Sequence, residues 1–255
     1  MGRAHEIEYR LVGDDMQAVI ITIDPGEAVQ AEAGAMMFLE DGIEMNTGTG
    51  GGLMKGFKRI IAGESFFITT YVNSSQSPRK LSFSAPYPGK IMAMNLTETG
   101  TILCQRDAYL CSAYGVDISV AFTKKLGAGF FGGEGFILQK LSGDGMAFVH
   151  AGGTLLKKDL AVGERLRVDT GCIAAFEERV DYDIEWVGGM KTALFGGEGL
   201  FFATLTGPGT VYMQTLPFSR LADRILAASM SNRGETRGGG FFGGLSGLTG
   251  GDRRF

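Results

Sequence analysis

Histidine is scarce in this chain, with only His5 and His150, and tryptophan occurs once, as Trp186. A hydrolytic triad needs an imidazole beside a nucleophile and a carboxylate. Here no Gly-x-Ser-x-Gly elbow is present, and no cluster has the spacing of metal ligands. No catalytic residue, metal or cofactor is therefore expected. Cysteine is sparse as well. Cys104, Cys111 and Cys172 are scattered, odd in number and without Cys-x-x-Cys spacing. They read as small buried hydrophobes in a soluble, cytoplasmic protein of a reducing compartment. The opening segment MGRAHEIEYRL turns charged at once, so no secretory leader is expected. No apolar run approaches the ~20 residues needed to span a bilayer. Surplus positive charge is missing too. The 24 Lys and Arg stand against 28 Asp and Glu, a net charge of −4, which argues against nonspecific nucleic-acid binding.

Glycine, by contrast, is abundant: 41 of 255 residues, roughly twice ordinary usage. No Gly-x-y period is present, which excludes a collagen. Glycine dense among Val, Ile, Phe and Thr points instead to many short strands joined by tight turns.

The strongest signal is a repeat. FGGEGFILQKLSGDGMAFV (131–149) aligns without a gap on FGGEGLFFATLTGPGTVYM (195–213), and Glu134 and Glu198 lie 64 residues apart. Both copies read as turn, apolar strand, a second glycine turn, second strand. AGESFFITTYV (62–72) supplies a fainter third copy around Glu64. Its second turn is expected at PYPGKIMAM, so that the polar NSSQSPRKLS reads as an insertion. Upstream, PGEAVQAEAGAMMFL (25–39), ETGTILCQRDAYLCS (98–112) and VGERLRVDTGCIAAF (162–176) extend the match. Gly34, Asp107 and Gly171 precede the three glutamates by 30, 27 and 27 residues.

The expected fold is all-β: three tandem modules, 1–88, 89–153 and 154–217, in a pseudo-threefold arrangement. Residues 218–255 form a helix and a Gly/Phe-rich tail. Within the third module Leu160, Val162, Leu166 and Val168 alternate with polar neighbours, as do Tyr182, Ile184 and Trp186, the pattern of strands with one buried face. Turns are expected at 13–15, 143–145 and 207–209. The one helix is SRLADRILAASMS (219–231), capped by Ser219, with Leu221, Ile225 and Met230 on its apolar side.

Two readings of the glycine loops stay open. In one, Glu64, Glu134 and Glu198 accept hydrogen bonds from amides freed at the turns. In the other they bind a small ligand or RNA at module interfaces, with Lys58, Lys125 and Lys191 contributing positive charge nearby. GAGFFG (127–132) matches the dinucleotide pattern Gly-x-Gly-x-x-Gly, but a β-type run follows where a helix is required. GTGGGLMKG (48–56) lacks the ending of a phosphate loop. The tail, with Phe241, Phe242, Leu245 and Leu248, cannot build a core. It is expected to be disordered or to anchor a protein or membrane partner.

The three loops, the AEAGAMMF segment and the Gly/Phe-rich tail together make the chain resemble the altered inheritance of mitochondria protein 24 family. The resemblance covers about residues 5–217. It implies three domains similar to the tryptophan-attenuation RNA-binding protein, each a short double-stranded β-helix, and a homotrimer that closes a ring of nine such domains. The mitochondrial relatives are associated with inner-membrane organisation. The resemblance therefore implies a non-enzymatic scaffold linked to membranes, with a ring that binds a small ligand or RNA as the alternative.

Overall fold

The computed structural model describes residues 3–32, 34–47, 68–124, 136–186 and 201–234. Residues up to Phe218 form one unit and those from Ser219 another.

The first unit is almost wholly β, and its described residues form four antiparallel sheets. The first sheet runs in the order β1 (Glu8–Val12), β2 (Ala18–Ile23), β7 (Arg79–Ser84), β4 (Met36–Leu39). The second runs β5 (Ile43–Thr47), β6 (Ile68–Asn73), β3 (Ala28–Glu32), β10 (Tyr109–Ala113), β13 (Met146–Gly152), β8 (Gly89–Asn95). The third runs β11 (Asp117–Lys124), β12 (Phe136–Ser142), β9 (Ile102–Gln105), β16 (Ile173–Glu177), β19 (Gly209–Gln214), β14 (Leu155–Leu160). The fourth has three strands, β15 (Arg165–Asp169), β18 (Phe201–Thr206) and β17 (Asp181–Trp186).

One pairing scheme recurs along the chain. β2 pairs β7, β8 pairs β13 and β14 pairs β19. β3 pairs β6, β9 pairs β12 and β15 pairs β18. β4 pairs β7, β10 pairs β13 and β16 pairs β19. The two FGGEG copies thus lead into matched strands, β12 and β18.

The first copy is laid out differently from what its sequence suggests. Its second turn is Ser74–Pro78, where Asn73 and Ser75 side chains satisfy the reversing backbone. RKLSFS is strand β7, not part of an insertion. This turn carries no glycine signal; serine and asparagine side-chain bonds reverse the chain instead.

The central strands β9, β10, β12 and β16 are buried on both faces along most of their length, which explains apolar runs such as Phe136–Leu138 and Ile173–Phe176. One core lies between the second and third sheets, around Met92, Tyr109, Val149, Ile102, Cys104 and Leu141. Another lies between the third and fourth, around Leu103, Phe136, Leu138, Phe176, Val168, Ile184 and Leu205. Edge-on aromatic contacts link the first two sheets: Tyr9 to Phe148 at 5.0 Å and Tyr71 to Phe83 at 5.3 Å. Phe83, Phe136, Phe148 and Phe176 are fully buried, and each such ring stabilises the fold by roughly 2–3 kcal/mol.

Helical turns break the ladders briefly. α1 (Leu96–Thr99) is capped by the Asn95 side chain and ends at Gly100, whose φ of 72° suits a residue without Cβ. Matched 3-10 turns, Arg106–Ala108 and Thr170–Cys172, lie between β9 and β10 and between β15 and β16. Val162, expected on a buried face, sits in a turn and is 85% exposed. The C-terminal helix α2 (Phe218–Gly234) begins one residue before Ser219, so Ser219 is a first-turn residue and not the cap. Along it Ile225, expected on an apolar side, is exposed, as is Leu226.

Candidate functional site: two open sheet edges

The second and third sheets are each stitched together across the chain by one strand pair. In the second sheet β3 meets β10, with Ala31 opposite Cys111, Gln30 opposite Ser112 and Val29 opposite Ala113. In the third sheet β9 meets β16, with Cys104 opposite Ala175, Leu103 opposite Phe176 and Ile102 opposite Glu177. The registers are the same when the repeat is superposed. A further backbone bond crosses each seam at matched places: Tyr114 N–H to Ala28 O at 3.0 Å and Glu178 N–H to Thr101 O at 3.0 Å.

The second strand of each seam carries the same irregularity. Register slips between Tyr109 and Cys111 in β10 and between Ile173 and Ala175 in β16. It slips equally between Met36 and Phe38 in β4. A bulge bends its strand and increases local twist, so β4 has the shape of a seam strand. Among the described residues, however, β4 pairs only with β7, and β15 pairs only with β18. These are the two places, among those residues, where the recurring scheme lacks a partner.

Joining them restores the pattern. β17-β18-β15 followed by β4-β7-β2 has the strand order of the second and third sheets, with β1 added at the end. The seam register then sets Phe38 opposite Val168 and Leu39 opposite Arg167.

The chemistry of β4 agrees with a covered edge. Met36, Met37 and Phe38 are 38%, 63% and 39% exposed. Exposed edges are ordinarily guarded by charge, proline or brevity, because unpaired N–H and C=O groups template aggregation. β4 is short, four residues, but MMFL has neither charge nor proline. On β15, Arg167 lies 3.7 Å from Glu185 and its guanidinium sits 5.4 Å from the centre of the Phe202 ring. Its charge is therefore balanced before any strand arrives.

The residues expected to form a ligand site, Glu64, Glu134, Glu198, Lys58, Lys125 and Lys191, all lie outside the described residues, as do the three glycine loops and residues 235–255. His150 is inside β13 and 2% exposed. Burial pushes its imidazole down to about 4. Cys104 and Cys111 are fully buried and free, and burial pushes both thiols up, which makes them poor nucleophiles. Cys172 is half-buried. Among the described residues no three His, Cys, Asp or Glu side chains gather as metal ligands, and no helix is long and apolar enough to cross a membrane. Sequence reasoning did not single out the open edges, although a signal is present: MMFL is larger and more apolar than its counterparts YLCS and IAAF.

Residues 9–216 match the family described as Mitochondrial biogenesis AIM24. The uncharacterized protein M6_Spy0233 of Streptococcus pyogenes serotype M6 is 27% identical over 215 residues, covering 81% of this chain and 84% of the relative. The crystal structure of protein SPYM3_0169 from Streptococcus pyogenes, 24% identical, superposes with a TM-score of 0.72 over 88% of this chain and all of the other. That likeness shows a shared fold.

Proposed function

This chain belongs to the mitochondrial biogenesis AIM24 family, and we propose that it is a non-enzymatic scaffold whose copies join through the open edges of β4 and β15. Three modules per chain, bounded near residues 88 and 153, repeat one design. The third seam is made between chains. Three copies close the ring, as the family resemblance implies, and leave no seam strand unpaired.

The observation that carries this reading is the shared bulge and register. Of the matched strands β4, β10 and β16, which share this bulge, β10 and β16 already hold their seam partners, and β4 exposes an apolar edge. The contact is heterologous, since β4 and β15 are different surfaces, and such contacts form rings when the rotation closes. A reducing compartment fits a protein that keeps Cys104 and Cys111 as buried thiols.

Cross-linking tests the pairing directly. Leu39→Cys and Arg167→Cys, placed in a Cys172→Ser chain, should form disulfides between chains on mild oxidation. Moving the second cysteine to Leu166 should give little cross-linking, because neighbouring strand residues point to opposite faces. A chain that sediments as a single copy at every concentration, with no cross-link, would rule the assembly out.

A further inference from the structure

The two in-chain seams share backbone geometry but not side-chain chemistry. At the first, Gln30 and Ser112 are buried opposite one another, 8% and 0% exposed. Gln30 Nε2 donates to Ser112 Oγ at 3.2 Å and to Val116 O at 2.6 Å. Tyr109 Oη donates to Gln30 O at 3.1 Å and lies 3.0 Å from Ser112 Oγ. At the second seam the matched places are all apolar: Leu103 opposite Phe176, with Ile173 where Tyr109 would be. At the open edges the matched residues are Arg167 on β15, and Leu39 and Met36 on β4.

Identical ladders are interchangeable. With the same bulge in β4, β10 and β16 and one register at both in-chain seams, the backbone alone gives β3 no reason to choose β10 of its own chain over β4 of a neighbour. Exchange of equivalent elements is the usual hazard in such repeats. We propose that the buried Gln30–Ser112–Tyr109 trio is the partner-selecting element of the first seam: it admits β10 to β3, excludes β4 of another copy, and so reserves β4 for β15. This rests on the reading that β4 and β15 join between chains.

The energetics favour selection over stability as its role. A satisfied polar network gains little over well-packed apolar side chains, as the second seam illustrates within the same fold. Its effect appears when a wrong strand arrives. β4 offers Leu39 and Met36 where β10 offers Ser112 and Tyr109, so a β3·β4 seam would take the Ser112 hydroxyl and Val116 O from the Gln30 amide and the Tyr109 hydroxyl from the Gln30 carbonyl, with only the backbone of the arriving strand to replace them. An unpaired buried polar group is costly, and that cost is what separates right from wrong pairing. β15 is excluded from β10 in the same way, because Arg167 would be drawn from Glu185 and Phe202 to face Ser112 and Tyr109.

The test replaces the trio by apolar residues, Gln30→Leu, Ser112→Val and Tyr109→Phe, in the full chain. Parent and variant are unfolded in urea, refolded across a range of concentrations, and resolved by native mass spectrometry. The expected result is one closed species for the parent. The variant should fold with equal strand content but give a mixture, its share of larger and mixed assemblies rising severalfold with concentration. If the triple variant does not fold, Gln30→Met with Ser112→Ala removes the amide and hydroxyl at nearly constant volume and reads out identically. A variant that refolds to the same single closed species as its parent overturns partner selection and leaves the edge pairing intact. A parent that is monomeric throughout overturns the edge pairing, and partner selection with it.

Discussion

His150 stands edge-on to Tyr87, their ring centroids 4.6 Å apart and their planes at 89°. The imidazole is buried, and its Nδ1 has no hydrogen-bond partner among the described residues. The matched residue 64 positions later, Gln214, is fully engaged: its Oε1 accepts from Gly152 N–H at 2.9 Å and its Nε2 donates to Gly171 O at 2.9 Å. The residue matching Gly152 is Pro88, which has no N–H to give.

Acid should weaken the fold through this residue. Burial pushes His150 from 6.5 in an open chain down to about 4, so the unfolded chain binds the extra proton first. Stability from this group is full above about pH 6.5 and falls as pH drops toward 4, by up to about 3 kcal/mol. Glu32 works against it: burial and Asp107 raise its carboxyl, so the fold favours its protonated form, and its contribution is lost as pH rises. Comparing urea midpoints of parent and His150→Gln between pH 4 and 7.5 isolates the histidine. The variant should show the shallower slope, and equal slopes would refute the assignment.

Gln214→Leu should destabilise strongly. The change keeps bulk but strands Gly152 N–H and Gly171 O inside the protein, at a cost of about 2–4 kcal/mol. Chemical denaturation reads this, and a loss under about 1 kcal/mol would show that water reaches the site.

Gly89→Ala should be poorly tolerated although its neighbours on β8 all carry side chains. A Cβ there would lie 2.2 Å from Ala151 O and 2.4 Å from His150 Nε2. The ladder between β8 and β13 would have to separate, costing about 1–3 kcal/mol. A melting temperature within a degree of the parent would contradict this packing.

If copies join through β4 as proposed, Phe38→Glu should yield single chains without unfolding them. Phe38 is 39% exposed on β4, and a carboxylate there resists burial opposite Val168. Sedimentation velocity should move to the single-chain value while the circular dichroism of the strands is kept. An unchanged assembly would mean that β4 is not the joining edge.

Much of the fold is legible in the sequence because its cause is local. Alternation and glycine turns mark strands such as Phe136–Ser142 and Phe201–Thr206, and self-similarity at 64 residues aligns them from residue order alone. The failures have physical reasons as well. Ser74–Pro78 turns without glycine, so a glycine-based alignment misplaces the first copy. Val162 looks alternating, but the chain reverses there. The edges of β4 and β15, open among the described residues, are hidden for a deeper reason: an edge is defined by which strands pair, and sequence pattern reports only what each strand is made of. The glycine-loop glutamates stand out by composition, and they lie outside the described residues.

The two sealed thiols have a practical consequence. Cys111 sits opposite Ala31 at the first seam, and Cys104 sits opposite Ala175 at the second. One buried thiol thus lies at each in-chain seam. In a Cys172→Ser chain, the order in which an alkylating reagent captures them under mild denaturant would reveal which seam opens first.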